Sequence, residues 1–355
     1  MFYLMSPKKR HKTLIIKIIL LCAVVLVCLI VLEVFLRFYL SKYPRGVRDY
    51  EGRGLFIVDN KLGYKMKPNF VGFFRNPEFD TSWKTNSDGY RNFEFNIDDQ
   101  NIILMLGDSF MVGHGVEENQ TVSYLLNQKL EEYVVYNLGV QGYSEKQYLE
   151  QLKTMLPEYS IKLAVINFYL GNDIQENCGI IERGVSAEGA HIKQENDGAW
   201  RKLKSLLKKS EAVLFIYRNV VQLFKVDVRY ASFYLEKYES EGNLACYNKT
   251  REYLSEIKPL AEKHNVPLII FLIGPEELTD KKKVEMLYKR HGKFELRKIN
   301  LNVLSMCEEL STECFDLTDY FENSEGLYIS NHWNIKGNEL AALEIENYLR
   351  SRGLI

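Results

Sequence analysis

Short apolar runs alternate with longer amphipathic stretches from residue 101 onwards. The apolar runs predict strands at residues 101–106, 134–140, 162–170, 267–274 and 313–317. The stretches between and after them predict helices at residues 121–133, 145–156, 250–264, 296–310 and 335–350. Short β-branched-rich runs separated by helices favour a parallel sheet that is covered on both faces. The pattern therefore predicts an α/β fold, a three-layer α/β/α sandwich around a parallel five-stranded sheet.

The N-terminal pattern is different, because an uninterrupted apolar stretch follows a short basic tail. There is no charge between Ile18 and Leu32, and Leu14 to Leu36 is long enough to cross a bilayer as a helix. No small-x-small cleavage site follows, which disfavours a cleaved signal peptide. We expect residues 1–40 to be a cytoplasmic tail and a transmembrane anchor. Basic residues flank both ends, so we place the large domain outside the cytoplasm because long domains translocate largely regardless of charge.

Two further regions differ from the alternating pattern. Residues 41–100 are polar and aromatic, with Gly, Pro, Asn and Asp between, and predict a lead-in segment of short strands and turns packed on the main domain. Residues 101–355 are the main domain, interrupted by a helical insertion at about 174–250. The insertion either covers the sheet or forms a lid or substrate-binding wall, since long insertions after strands often carry function.

Composition narrows the class of protein. The 355 residues are 46% hydrophobic and 26% charged, which is typical of a globular protein. A net charge of −1 gives no field that recruits nucleic acid, so we expect no nucleic-acid partner. The cysteines and histidines show no metal-ligand spacing, and no metal or cofactor is expected. We expect free buried thiols at Cys178, Cys246, Cys307 and Cys314, with Cys307 and Cys314 able to pair in an oxidising compartment.

Four polar stretches each follow a predicted strand. Ser109 follows the first strand and is expected to begin a helix, Gly142 follows the second, Asn172 the third, and His332 the fifth. Loops after the strands of an open parallel sheet meet at one edge. There Ser109 would supply a nucleophile, His332 a general base, and the Ser109 amide, the Gly142 amide and the Asn172 side chain an oxyanion hole. Each residue alone also suits an ordinary cap or turn; their joint placement indicates acyl transfer from an ester.

Three neighbouring side chains have simpler interpretations. Asp108 and Asp173 are expected to be structural, since an aspartate beside such a turn can accept hydrogen bonds from backbone amides. His114 lies in the stretch VGHGV and is a candidate second base or metal ligand. No carboxylate pattern accompanies His114, so a surface or capping position is favoured.

The stretches GDSF, NLGVQGYS, GND and HWN resemble the SGNH, or GDSL-type, superfamily of serine hydrolases, with matching blocks from about residue 101 to 350. The resemblance implies a flavodoxin-like sandwich with Ser109 as nucleophile and His332 as base. It also implies that Ser109, Gly142 and Asn172 form the oxyanion hole. The stretches LGYKMKPN and NSDGYRNFEF are similar to those of membrane-anchored bacterial members.

Related periplasmic proteins add or remove acetyl groups on exopolysaccharides. The resemblance therefore implies a cofactor-free esterase that cleaves O-acyl esters, such as acetyl esters, on a cell-surface glycan. Two alternatives use the same fold. One is an O-acyltransferase, in which a sugar hydroxyl replaces water, and the other is a non-catalytic glycan-binding or assembly protein.

One departure from the superfamily pattern concerns the acid that orients the histidine. The superfamily usually has an aspartate two or three residues before it, where this chain has Ser330 and Ile329. Three explanations are open. Another acid (Asp316, Asp319 or Glu325) substitutes; Ser109 and His332 act as a dyad whose imidazole is oriented by a backbone carbonyl or by Ser330; or activity has been lost.

Overall fold

The structure, a computed structural model, describes residues 7–41, 54–75, 78–180, 182–185, 189, 191–194, 210, 241–292, 295–322 and 325–355. The chain divides into two compact units: Met1–Arg48 with Asn196–Lys225, and Asp49–Glu195 with Val226–Ile355. Most of the insertion predicted over residues 174–250 lies outside the described residues. The part that is described includes a β-hairpin, which the sequence pattern did not predict.

In the first unit, the structure describes a long helix, α1, over Pro7–Ser41. Its segment Ile16–Phe38 has 23 residues and a mean hydropathy of 3.3, long and apolar enough to cross a membrane. The side chains of this segment are largely exposed, as expected for a surface that lipid would cover. Glu33 accepts a hydrogen bond from Arg37 one turn later (2.6 Å), so the two charges near the end of the apolar segment are paired.

The second unit begins with two antiparallel hairpins in the lead-in segment. Strands β1 (Phe56–Asp59) and β2 (Gly63–Met66) form the first, and β3 (Val71–Arg75) and β4 (Asp80–Lys84) form the second. Alternate residues of β4 are buried, and Trp83 among them is completely inaccessible. Tyr64, Phe74 and Trp83 belong to the same apolar core as the central sheet, so these hairpins pack on the main domain.

The central sheet has five parallel strands in the order β6-β5-β7-β10-β11. In chain order this is 2-1-3-4-5, the flavodoxin-like arrangement that the resemblance implies. Each of the five predicted strands begins and ends within three residues of the strand in the structure. The strands are β5 (Ile102–Gly107), β6 (Val134–Asn137), β7 (Ile161–Tyr169), β10 (Leu268–Ile273) and β11 (Glu313–Asp316). Two more antiparallel hairpins lie outside the central sheet. Strand β8 (Glu182–Val185) pairs with β9 (His191–Gln194), and β12 (Tyr328–Ile329) pairs with β13 (His332–Trp333).

Helices cover both faces of this sheet, which confirms the three-layer prediction. Side chains of β5 alternate between two cores: Ile102, Leu104 and Leu106 lie in one, and Ile103 and Met105 in the other. Helices α3, α5 and α8 contribute to the first core and α2 and α10 to the second. Among its described residues, the α-helices of this unit are α2 (Val122–Lys129), α3 (Glu145–Glu158), α4 (Asp173–Asn177), α5 (Glu241–Lys263), α6 (Glu276–Thr279), α7 (Lys281–His291), α8 (Lys298–Glu309), α9 (Thr318–Phe321) and α10 (Ile335–Ser351).

The expectation of free buried thiols is wrong for the four cysteines of this unit. Cys178 forms a disulfide with Cys246, and Cys307 forms one with Cys314. Helices α4 and α5 pack together and bring the Cα atoms of the first pair to 4.9 Å, although the residues are 68 positions apart. The sequence spacing alone could not reveal such a pair. Disulfides of this kind are typical of proteins in oxidising compartments.

Candidate active site

Ser109 lies two residues beyond the end of the fully buried strand β5. The buried carboxylate of Asp108 accepts the N–H of Phe110 (2.9 Å), and the Ser109 Oγ lies 3.2 Å from the same carboxylate. The main-chain oxygens of Asp108 and Ser109 accept hydrogen bonds from Val112 and His114 (3.1 and 3.0 Å). No helix begins here, because residues 108–116 form successive turns. The expected helix dipole at Ser109 is therefore not part of this site, whereas the structural role expected for Asp108 is present.

His332 is presented by the hairpin of β12 and β13. Ile329 pairs with His332, so Ser330 and Asn331 form a two-residue turn. Both have positive φ angles (50° and 61°), as a type I′ turn requires. Although glycine is common at such positions, asparagine also tolerates them. The turn directs the Ser330 carbonyl back toward the imidazole that follows it.

The two ring nitrogens of His332 have different partners. Nδ1 lies 2.8 Å from the carbonyl oxygen of Ser330, and Nε2 lies 2.7 Å from Oγ of Ser109. A carbonyl oxygen only accepts hydrogen bonds, so Nδ1 carries the proton of the neutral ring. Nε2 then accepts the hydrogen bond donated by the Ser109 hydroxyl. This is the tautomer that a general base needs.

The candidate acids for His332 all have other partners. Arg297 donates hydrogen bonds to Asp316 (2.7 Å) and Asp319 (2.6 Å), and Lys282 donates one to Glu325 (3.2 Å). Within the part of the chain that the structure describes, no carboxylate forms a hydrogen bond with His332. Of the explanations left open by the sequence, the geometry favours a dyad oriented by a backbone carbonyl.

Aromatic rings surround the imidazole of His332. The Phe110 ring centroid lies 5.0 Å from that of His332, and the His114 centroid lies at 4.4 Å. The pKa of His332 is lowered to about 4, mainly by desolvation; the hydrogen bond to Ser330 raises it, and the charge of Arg183 lowers it. The ring is therefore neutral, and can accept a proton, throughout the neutral pH range.

His114 lies inside the site rather than at an ordinary surface position, contrary to the favoured interpretation. Besides His332, its ring contacts those of Phe74 and Phe79 (centroids at 5.1 and 4.8 Å). Its Nδ1 also lies 2.5 Å from the side-chain nitrogen of Gln141. The described residues contain no group of three side chains able to hold a metal ion. These contacts give His114 a packing role against the base.

The predicted oxyanion-hole residues follow the strands on either side of β5. The Val140 amide donates to the Gly107 carbonyl (3.1 Å), which places the loop of Gly142 beside the end of β5. Gly142 has a φ of 70°, and a Cβ there would lie only 2.3 Å from the side chain of Arg183. The positive φ favours glycine at this position, and a larger residue would displace the Arg183 side chain.

Asn172, the third predicted donor, has a different partner in this structure. Its Nδ2 donates to Oε1 of Glu176 (2.7 Å), and Nε of Arg183 donates to the same oxygen (2.7 Å). Burial raises the pKa of Glu176 to about 7, whereas the charge and hydrogen bonds of Arg183 lower it. Neither Glu176, in α4, nor Arg183, in β8, was identified from the sequence, because the pattern of the insertion does not show that these residues come close to Gly142 and Asn172.

The lead-in segment contributes a buried arginine, Arg91, which the sequence pattern does not single out. Arg91 donates hydrogen bonds to the carbonyls of Val112, Gly113 and Val116, at 2.8 to 3.1 Å. Its guanidinium also lies over the Trp83 ring, 4.3 Å from the centroid. Burial lowers the pKa of Arg91 to about 10, which still leaves it charged at neutral pH. Arg91 thereby holds the loop that follows the nucleophile.

Two further lead-in contacts reach the other parts of the site. The carboxylate of Glu78 accepts the N–H of Ser330 in the turn before His332 (2.7 Å). The Tyr64 hydroxyl donates to the Gln141 carbonyl (2.7 Å), beside Gly142. The lead-in segment therefore contacts the nucleophile loop, the base hairpin and the loop of Gly142. The sequence predicted that the lead-in segment packs on the main domain, but it did not show which parts of the site this segment contacts.

Comparison with known proteins gives similarity in fold. No protein-family model and no curated protein matches the chain. Among solved structures it is similar to TesA (12% identity, TM-score 0.41, covering 72% of this chain and 100% of that one). It is also similar to the psychrotrophic esterase EstA from Pseudoalteromonas sp. (13%, 0.40, 71% and 98%) and the acetyl xylan esterase AlAXEase (10%, 0.41, 70% and 99%).

Other similar structures are named as SGNH-hydrolase or GDSL-family lipolytic proteins. These are the kinds of protein that the sequence motifs resemble. At such low identity the similarity concerns the fold, and the assignment of an activity depends on the geometry around Ser109.

Proposed function

We propose that the protein is a membrane-anchored serine esterase that cleaves O-acyl esters, with Ser109 as nucleophile and His332 as general base. One observation carries the proposal: His332 Nε2 lies 2.7 Å from Ser109 Oγ while its Nδ1 lies 2.8 Å from a backbone carbonyl. This is the base-to-nucleophile contact, with the base held by a third group, that defines an activated serine.

The reaction proceeds in two halves. Ser109 Oγ attacks the carbonyl carbon of the ester, and its proton passes to Nε2 of His332. The amides of Ser109 and Gly142 and the side chain of Asn172 donate to the oxyanion. Collapse breaks the bond between the acyl carbon and the alcohol oxygen, which takes the proton from His332. Water then repeats the sequence on the acyl-serine, releasing the acid and restoring the Ser109 hydroxyl.

A backbone carbonyl is an adequate partner for this base. In Ser-His-Asp enzymes, replacing the aspartate by asparagine costs about 10⁴ in rate because the imidazole adopts the wrong tautomer. The Ser330 carbonyl favours the correct tautomer, so only the stabilisation by a full negative charge is missing. We therefore expect an active enzyme whose imidazolium is less stabilised than in a complete triad.

The site of action follows from the N-terminal helix and the disulfides. Helix α1 has the length and apolar character of a membrane span, and the unit with Ser109 contains two disulfides. Disulfides persist in oxidising compartments, which supports a catalytic unit on the extracytoplasmic side of the membrane. There the substrate class is an acylated alcohol at the cell surface, such as an acetylated glycan.

A fluorophosphonate probe tests the nucleophile directly. The purified full-length protein in detergent is expected to be labelled on Ser109, and Ser109→Ala to lose the label. Ser255→Ala, which changes an exposed hydroxyl on α5, is the matched control and is expected to be labelled like wild type. If wild type is labelled no better than Ser109→Ala, the proposal is wrong.

Product analysis separates hydrolysis from transfer. With 4-nitrophenyl acetate alone, we expect free acetate in step with nitrophenol. With an added polysaccharide, an esterase continues to release acetate, whereas an acyltransferase moves the acetyl group onto the polymer. Acetate release that is unaffected by the acceptor supports the esterase, and acetyl transfer to the polymer assigns the transferase instead.

A further inference from the structure

A polar cavity of about 350 Å³ lies beside the predicted oxyanion hole. It is within the size range of small-molecule binding sites. Gly142 belongs to both the cavity wall and the predicted hole. The other polar or aromatic wall residues come from β2, the start of α3, α4 and β8, and include Tyr64, Gln147, Glu176, Asn177 and Arg183.

An ion pair links this cavity to the reacting groups. Arg183 donates to Glu176 through Nε and Nη2, at 2.7 and 2.5 Å, and only 5% of the Glu176 side chain is exposed. The arginine side chain lies directly over Gly142, and the glutamate oxygen also holds Nδ2 of Asn172. A ligand that contacts this pair is therefore next to two of the three predicted oxyanion donors.

The wall offers both donors and acceptors. The charge of Arg183 is balanced by Glu176, so the pair does not form a site for an anion. The wall also includes Ser144, Lys146 and Gln147, whose hydroxyl, ammonium and amide groups supply further donors and acceptors. Hydroxyl groups, which donate and accept at once, suit a wall of this kind.

We propose that this cavity binds the sugar unit whose hydroxyl carries the acyl group, with Arg183 and Glu176 as the specificity-determining residues. The inference rests on the esterase activity proposed above and names the alcohol part of its substrate. A sugar hydroxyl that donates to Glu176 replaces the Asn172 amide as a donor to this carboxylate. The Asn172 amide then turns to the oxyanion, so a sugar ester completes the hole more effectively than an ester without hydroxyls.

The experiment compares two esters that differ in their hydroxyl groups. The substrates are mono-O-acetylated methyl glucoside and cyclohexyl acetate, which has a ring of similar size without further hydroxyls. For each variant of the full-length protein, kcat/KM is measured for both, and their ratio is compared with the wild-type ratio. Differences in leaving-group chemistry cancel in that comparison, because they are the same for every variant.

We expect Arg183→Met to reduce the ratio at least about tenfold, since a charged hydrogen-bonding group is lost. Arg183→Lys keeps the charge but loses the planar fork, and an intermediate reduction is expected. Lys282→Met removes an exposed charge outside the cavity wall and is the matched control, with the wild-type ratio expected. Thermal unfolding verifies that each variant is folded.

The outcomes separate this inference from the esterase proposal. If wild type is labelled by the fluorophosphonate but both Arg183 variants keep the wild-type ratio within twofold, the sugar subsite is wrong and the esterase stands. If the ratio falls in Arg183→Met and partly in Arg183→Lys, the subsite is supported. If wild type is neither labelled nor active on any ester, the esterase proposal fails first and the subsite fails with it.

Discussion

The nucleophile and the base of this site are held in different ways. Ser109 follows an inner strand of a parallel sheet, since β5 is completely buried and lies between β6 and β7. His332 lies on a hairpin whose strands have two residues each. The sheet fixes the serine through a ladder of hydrogen bonds. The histidine depends instead on one turn carbonyl, its ring neighbours and a contact from the lead-in segment.

The difference shows how an expected side chain can be replaced by main chain. The position where an aspartate is usual has Ser330, but its carbonyl lies 2.8 Å from Nδ1 of His332. Every residue has a carbonyl, so what matters is the left-handed conformation of the turn. The missing aspartate of the sequence motif therefore does not leave Nδ1 of His332 without a hydrogen-bond acceptor.

The largest effect is expected from removing the base itself. His332→Ala leaves Ser109 without a proton acceptor and should lower kcat for 4-nitrophenyl acetate by about 10³ or more. Asp319→Asn and Glu325→Gln are the controls, because neither carboxylate contacts the imidazole, and each should lower kcat less than threefold. A loss below tenfold in His332→Ala would remove this residue from the mechanism, and a large loss in either control would identify a distant acid.

The next effect concerns the loop that follows the nucleophile. Arg91→Met leaves the carbonyls of Val112, Gly113 and Val116 without their donor. Such a change is expected to lower the free energy of unfolding by about 3 kcal/mol. We expect kcat to fall about 30-fold as well, since small displacements of reacting groups are costly. Denaturant unfolding and steady-state kinetics measure the two effects, and wild-type values in both would show that Arg91 does not organise the loop.

A smaller effect should come from the turn before the histidine. Ser330→Val places a β-branched residue at a positive φ, which costs about 1–2 kcal/mol and displaces the carbonyl. We expect kcat to fall about tenfold. Ser330→Gly removes the same hydroxyl but keeps the turn, and should stay within threefold of wild type. If both variants lose about tenfold, the hydroxyl rather than the backbone carbonyl supports His332; if both keep wild-type kcat, the turn does not position this base.

The smallest effect is a displaced pH profile. The pKa of His332 is lowered to about 4, and a protonated imidazole cannot act as base. The acid limb of kcat/KM, which reports the free enzyme, should therefore lie near pH 4 rather than near the usual 6.5. Glu176→Gln is measured in parallel because the pKa of Glu176 is about 7. A limb between pH 6 and 7 in both proteins would contradict the prediction.

The free energy of unfolding should also depend on pH, because the buried acids make the folded protein less stable as the pH rises. Burial raises the pKa of Asp108 to about 6 and that of Glu176 to about 7, so the folded protein binds protons that the unfolded chain has released. Their contribution is fully present below the unfolded pKa values near 4 and is lost as the pH rises through 6 to 7. The lowered pKa of His332 acts against this trend below pH 6.5.

The sequence predicted the sheet and its helices well, because burial imposes periodicity on both. The strand pattern is continuous in β5 and β7, since these strands are covered on both faces. Helix α5 begins at Glu241, nine residues before the predicted start at residue 250. The predicted pairing of Ser109 with His332 required only strand order and the rule that loops meet at one sheet edge.

The parts that sequence could not supply depend on main-chain geometry or on irregular segments. The partner of His332 is a carbonyl, which carries no residue-type signal. The local turn predicts a surface or capping position for His114, whereas its actual position depends on contacts with Phe74 and Phe79 of the lead-in segment. Arg183 and Cys246 lie in the insertion, whose sequence pattern does not indicate which of its residues come close to Gly142 or Cys178.

The disulfide between Cys178 and Cys246 closes a covalent ring around most of the insertion. Any protease cut inside this ring leaves the two fragments joined, so the protein keeps its full mass on a non-reducing gel. Reduction separates the fragments into two bands. The same cut in protein made in a reducing cytosol gives two bands under both conditions. A nicked sample therefore reports where its chain was folded, independently of any activity.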